Sequence, residues 1–168
     1  MKAALDKGGF FYFYDMIHPL NFYTQYSQFY ITDKDPLGDV DSDNFWTNEA
    51  FNERLAIEEG IVGVGTECYG PVKGELQILQ QENNCFSLDD YDHIVEGGIK
   101  INSGVIQIMD CPNSIVEIEV VVENGAYRAR VYSSNLSSVD GDEGDDYYRI
   151  EIWPSTDMER KVLKQYSV

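Results

Sequence analysis

The chain has 168 residues, with 12 basic against 30 acidic side chains and a formal net charge of −18. That length fits one domain, which can bury enough surface to need neither a disulfide nor a metal. The charge excludes direct binding to DNA, RNA or an anionic membrane, which demands clustered Lys and Arg, and suits a basic partner or simple solubility.

The 8 Phe, 12 Tyr and 2 Trp supply too much apolar area for a disordered chain. No apolar run approaches the roughly 18 residues of a membrane-spanning helix. Lys2 and Lys7 are followed by Gly8, Gly9 and a mixed aromatic run, not by a clean apolar stretch with a small-residue cleavage site, so no secretory signal is read. Cys68, Cys85 and Cys111 are odd in number and widely spaced. They suit a reducing, cytoplasmic setting in which each thiol is a small buried hydrophobe.

Residues 1–23 read as an N-terminal extension or an edge strand. They hold the aromatics Phe10, Phe11, Tyr12, Phe13, Tyr14, Phe22 and Tyr23, and Met16 is an alternative start point. Residues 24–168 read as a single β-sandwich domain. Short β-branched or aromatic runs predict strands at Gln28–Asp33, Ile61–Glu67, Gly74–Gln80, His93–Glu96, Val105–Met109 and Tyr147–Trp153, separated by Gly, Pro, Asn and Asp. With no regular helices between them, a parallel βαβ arrangement is disfavoured and an antiparallel sandwich expected.

One helix is predicted near 47–59. Thr47 caps it, Glu49 sits near its positive end, Phe51, Leu55 and Ala56 recur at helical spacing, and Gly60 ends it. A shorter helix is read over 157–166. Gly63-Val64-Gly65, inside a strand, marks a bulge or close packing.

The clearest alternation lies at 114–123. Val116, Ile118, Val120 and Val122 take one face, while Glu117, Glu119 and Glu123 take the other. Asn124-Gly125 follows, a sequence suited to a type I′ turn, and then Ala126–Tyr132. A two-residue hairpin would pair Val122 with Tyr127, Val120 with Ala129 and Ile118 with Val131, and would set Glu119 opposite Arg130.

Polar, acidic stretches at 33–44 and 133–146 read as loops. The second ends Asp140-Gly141-Asp142-Glu143-Gly144-Asp145-Asp146, with five carboxylates in seven residues.

Other patterns that carry chemistry are weak. Asp39, Asp41 and Asp43 alternate as at the start of a calcium loop, but Asn44 stands at position six and Ala50 at position twelve, so an ordinary acidic loop is favoured. Glu117 and Glu119 could serve as a glycosidase pair on a jelly-roll strand, yet Val122 breaks the spacing and Arg130 offers a structural partner. His18 and His93 stand alone, so no zinc site or other metal site is read, and no nucleophile elbow or phosphate loop occurs. No cofactor and no catalytic residue are predicted.

Tyr26-Ser27-Gln28-Phe29, then Phe45-Trp46-Thr47-Asn48-Glu49-Ala50, then Ile61–Glu67, then Gly144-Asp145-Asp146-Tyr147 leading to Trp153-Pro154, together resemble the competence protein J family. These are small bacterial proteins described as inhibitors of the DNA-entry nuclease. The resemblance spans about 24–155 with the motifs in order, and related small β proteins serve as immunity proteins of toxin systems. It implies a non-catalytic inhibitor or immunity protein whose partner is a basic DNA nuclease or nuclease toxin. Tyr26 and Trp46 read as core residues. The expected contact surface is Asp140, Asp142, Glu143, Asp145 and Asp146, whose carboxylates can occupy phosphate positions in a basic cleft while their glycines leave the backbone free to adapt. The alternative is a calcium- or carbohydrate-binding β-sandwich, or a glycosidase built on one.

Overall fold

The computed structural model describes residues 2–5 and 11–167, with side chains over 15–167. The aromatic side chains of Phe10 to Tyr14 lie outside the described residues. In the backbone, β1 (Lys2–Leu5) and β2 (Phe11–Tyr14) pair as an antiparallel ribbon.

Two sheets face each other. The first has five strands in the order β10-β9-β4-β6-β5: Val116–Val121, Val105–Met109, Gln28–Asp33, Ile61–Gly65 and Leu55–Glu58. The second has six, in the order β13-β8-β11-β12-β7-β3: Lys161–Lys164, His93–Ile101, Gly125–Ser134, Tyr147–Pro154, Pro71–Ile78 and Ile17–Tyr23. All pairings are antiparallel except β12 with β7, where Ile150 lies beside Leu76. The fold is the expected all-β sandwich with one short α-helix.

The core lies between the sheets. Phe29, Ile31, Val62, Val64, Ile106 and Ile108 project from the first, and Leu76, Val95, Ile99, Ala129, Val131, Tyr148, Ile150 and Ile152 from the second. Leu20 and Phe22 of β3 join it, so residues 17–23 are an edge strand of the six-stranded sheet. A smaller cluster of Tyr30, Phe45, Ala50, Ala56, Ile61 and Cys111 covers the outer face of the five-stranded sheet.

The helix α1 is shorter than expected, Asn48–Glu53. Thr47 Oγ1 accepts from Ala50 N at 3.1 Å and caps it. Arg54 ends it with φ 59, and the chain turns straight into β5. Leu55 and Ala56 are therefore strand residues. Leu55 enters the main core and Ala56 the smaller cluster, one on each face of the sheet. Burial on both faces outweighs the helical spacing of two residues.

The expected hairpin at Asn124-Gly125 does not form. β10 pairs only with β9, with Val120 opposite Ile106, while β11 lies in the other sheet between β8 and β12. Neither Asn124 nor Gly125 has positive φ, so the turn is not type I′. Residues 122–124 carry the chain across the sandwich. The alternation holds where it concerns burial: Val120, Val122, Ala129 and Val131 are buried and Ile118 packs against the core, although Val116 is exposed. A period of two fixes the face a residue takes, and both sheets turn that face to the same core, so it leaves the pairing partner open.

Glu119 is therefore far from its expected partner. It accepts from Gln107 Nε2 at 2.8 Å, while Arg130 binds Glu96 on the outer face of the other sheet. There Glu96 joins Arg128 and Arg130 at 2.6 and 2.5 Å, Tyr132 OH donates to Glu151 at 2.6 Å, and Phe86 covers the Arg130 guanidinium. The predicted helix over 157–166 is also overturned. Lys161–Lys164 forms β13, which covers the edge of β8 and so pairs backbone groups left open there.

Candidate functional site

The acidic segment after β11 is more ordered than a freely adapting loop. Buried Leu136 anchors a 3₁₀ turn at 136–138, and Ser138 Oγ accepts from Asp145 N at 2.9 Å. Asp140 and Glu143 exchange backbone hydrogen bonds of 2.7 and 3.1 Å around Gly141, whose φ of 65 suits glycine. Asp140, Asp142, Glu143 and Asp145 are exposed on this tight turn. Asp146 is not: it is 3% exposed, and its Oδ2 accepts from Cys68 N at 3.1 Å and Tyr148 OH at 2.7 Å. Burial, then the contact with Asp146, pushes the Cys68 thiol up to about 12. The same two causes push the Tyr148 phenol up. Asp146 thus holds the loop in place from beneath, and the accessible charge is carried by the other four.

Cys68 belongs to the link after β6, and that link meets a second feature. Thr66 N donates to Ser27 O at 2.8 Å, and Ser27 N donates to Tyr69 O at 3.0 Å. Tyr26 and Ser27 form a tight turn with φ of 60 and 53, a left-handed pair that glycine or asparagine would adopt at lower cost. The turn lifts the Tyr26 ring to 58% exposure, edge-on to Tyr69 at 5.8 Å. Tyr26 is therefore a surface residue, contrary to its core reading; its backbone geometry outweighs its apolar ring.

A cleft of about 220 Å³ opens beside it, lined by Tyr26, Gln28, Trp46, Phe51, Arg54 and Glu67 among others. Trp46 is partly buried and stacks on Phe51 at 5.0 Å, with Phe51 itself 61% exposed. Its ring lies over Gly63, where a Cβ would come within 2.8 Å of Trp46 Cζ2, so the glycine reflects close packing. Arg54 pairs with Glu67. The Trp46 Nε1 and Gln28 Oε1 atoms are shielded and have no hydrogen-bond partner.

Glu117 and Glu119 are exposed on β10, and Lys34 lies 3.9 Å from Glu119. Asp39 Oδ1 accepts from Asp41 N at 2.9 Å, an ordinary loop contact. Among the described residues no group of three or more His, Cys, Asp or Glu is arranged to hold a metal ion. His93 is buried between Glu53 O at 3.0 Å and Tyr166 N at 3.2 Å. Cys68 and Cys111 are buried as expected, but Cys85 is exposed. No helix of the described residues is long and apolar enough to cross a membrane.

No protein-family model matches the chain, and no curated protein matches it in sequence. Two solved structures do match. ComJ of Bacillus subtilis, inhibitor of the DNA degrading activity of NucA, aligns with a TM-score of 0.63 over 83% of this chain and 99% of its own, at 19% identity. The fold is that of ComJ. The product of crocagin biosynthetic gene J shares it with a TM-score of 0.56, over 85% of this chain and 99% of its own, at 18% identity.

The motifs that resemble the ComJ family are far apart in the chain, and most of them meet on this one surface. Tyr26–Gln28, Trp46 and the end of β6 line the cleft, and Asp146 ties Gly144–Tyr147 to the same link. Trp153 lies elsewhere, over Arg130 on the outer face of the six-stranded sheet. Arg54 and Glu67 carried no sequence signal as site residues, because a single ion pair between a helix end and a loop has no pattern.

Proposed function

We propose that this protein is a non-catalytic inhibitor that binds a bacterial DNA nuclease and blocks its basic cleft. The observation that carries the reading is the ComJ fold, matched over nearly the whole of ComJ, on a chain of net charge −18. The contact surface includes Asp140, Asp142, Glu143 and Asp145, four exposed carboxylates on a turn held by backbone hydrogen bonds. A preformed turn loses little entropy on docking. Carboxylates can stand in for phosphates and pair with the Arg and Lys of a nuclease cleft. The overall charge accelerates encounter with a basic partner.

The test is titration of the purified protein into DNA-cleavage reactions of a panel of bacterial nucleases that includes NucA. Stoichiometric inhibition of at least one, with a complex on size exclusion, is expected. Absence of both inhibition and complex across the panel overturns the reading.

A further inference from the structure

The acidic turn accounts for charge but not for the neighbouring cleft, whose construction is unusual for plain surface. Two residues at its wall, Tyr26 and Ser27, are non-glycine residues in left-handed backbone geometry, and a third, Arg54, takes it as the cap that ends α1. Such geometry costs about 1 kcal/mol or more per residue and persists where something else requires it. Rings line the cleft: the exposed Tyr26, and the exposed Phe51 stacked on the partly buried Trp46. Two polar atoms of lining residues, the acceptor Gln28 Oε1 and the donor Trp46 Nε1, are shielded and have no hydrogen-bond partner. Such unmet buried polar atoms are few in a folded protein.

We propose that this cleft takes an arginine or lysine side chain presented by a loop of a basic protein partner. Aromatic faces attract a cation through their negative π-density. A side-chain rotation on docking lets Gln28 Oε1 accept from the cationic head and Trp46 Nε1 donate to a carbonyl of the incoming loop. Arg54, the cation among the lining residues, is neutralised by Glu67, and its guanidinium rests over Tyr166 at 5.5 Å. The net charge of −18 selects against an acidic occupant, and about 220 Å³ suits one long side chain. Central aromatic pockets of this kind anchor interfaces whose charged surroundings set the approach. The identity of the partner as a nuclease rests on the proposed function; the chemistry of the cleft does not.

The test needs no nuclease. The full ¹⁵N-labelled chain is titrated with N-acetyl-arginine amide and N-acetyl-lysine amide, and with the leucine and glutamate amides as controls. The indole N–H signals of Trp46 and Trp153 are told apart by Trp46→Phe. A saturating shift of the Trp46 signal with the cationic amides is expected, weakened roughly five-fold or more by Tyr26→Ala. Because Tyr26 is exposed, a thermal melt of that variant separates lost binding from lost folding. No saturating shift with either cation, or an equal response to leucine or glutamate, overturns the proposal. Inhibition of a nuclease without the cation response leaves the proposed function standing and this inference refuted; the reverse outcome does the opposite.

Discussion

Asp146 Oδ2 accepts a hydrogen bond from Cys68 N at 3.1 Å, joining residues 78 positions apart. Through that bond the acidic turn is fixed to the link that also holds the Tyr26–Ser27 turn. One carboxylate of the acidic run therefore serves the fold, and the other four remain exposed on the turn.

The two roles separate by mutation. Replacing Asp140, Asp142 and Asp145 with Asn, together with Glu143→Gln, is expected to change stability by less than about 0.5 kcal/mol. It should slow association with a nuclease target, most strongly at low ionic strength. Neutralising Glu75, Glu82, Asp89 and Asp90 is the control for net charge, although Glu82 and Glu75 also touch Arg130 and Arg149. Asp146→Ala should instead cost about 1–3 kcal/mol in urea unfolding, since it strands the buried Cys68 N–H and removes the acceptor of Tyr148. Equal effects of the four-residue set and its control on association rates would show that only net charge matters.

Glu96 is the hinge of the buried ion cluster, with Arg128 and Arg130 both held by it and Arg130 only 2% exposed. Glu96→Ala leaves two buried guanidinium groups short of their counter-charge. A loss of about 3–5 kcal/mol is expected by chemical denaturation. A loss under 1 kcal/mol would mean that the cluster opens to water in solution.

Two glycines make opposite forecasts. A Cβ on Gly74 would lie 1.9 Å from Tyr148 O across the parallel β7–β12 pair, so Gly74→Ala should destabilise by about 1–3 kcal/mol or prevent folding. A Cβ on Gly125 meets nothing within 4 Å, and its φ is not positive. Gly125→Val should change the melting midpoint little, within about 0.5 kcal/mol. A large loss at Gly125 would restore the tight turn that its sequence suggested.

Stability should fall on mild acidification. Burial holds the His93 imidazole below its ordinary value of 6.5, with Arg54 adding to the lowering and Glu53 opposing it. The unfolded chain then binds a proton more readily than the folded one. Stability is full above about pH 6.5 and is lost progressively as the pH falls below it. Protonated Nδ1 would face Tyr166 N, so hydrogen exchange at Tyr166 should accelerate first.

A second loss belongs to Asp33. Burial would raise its pKa, but hydrogen bonds from Ser103, Asn102 and Asp35 hold it below 3.8. Its contribution is present above that pH and disappears as the pH falls through the folded value. A His93→Gln variant should weaken the first transition, leaving the share of His18, whose pKa burial also lowers, and keep the second, as followed by circular dichroism.

Much of the fold could be read directly from residue order. β4 and β9 begin and end where their β-branched runs do, and Thr47 caps α1 as its position implies. Such features are local: a period of two, a cap or a glycine states its reason within a few residues. The acidic turn was also legible, because charge density needs no partner to be seen. Pairing was not local. Val120 and Ala129 show the same alternation whether they face one another across a hairpin or across two sheets, and only the packed sandwich chose the second. The same holds for residues of one type with two fates. Asp146 differs from Asp145 only by lying over Cys68 N, and Tyr26 differs from Tyr30 by a left-handed backbone that puts its ring in solvent. The sequence determined which faces are apolar and where charge collects, since those depend on side chains alone. The tertiary structure decided which charges are buried, which rings are exposed and which distant motifs share a surface, since those depend on what the rest of the chain places beside them.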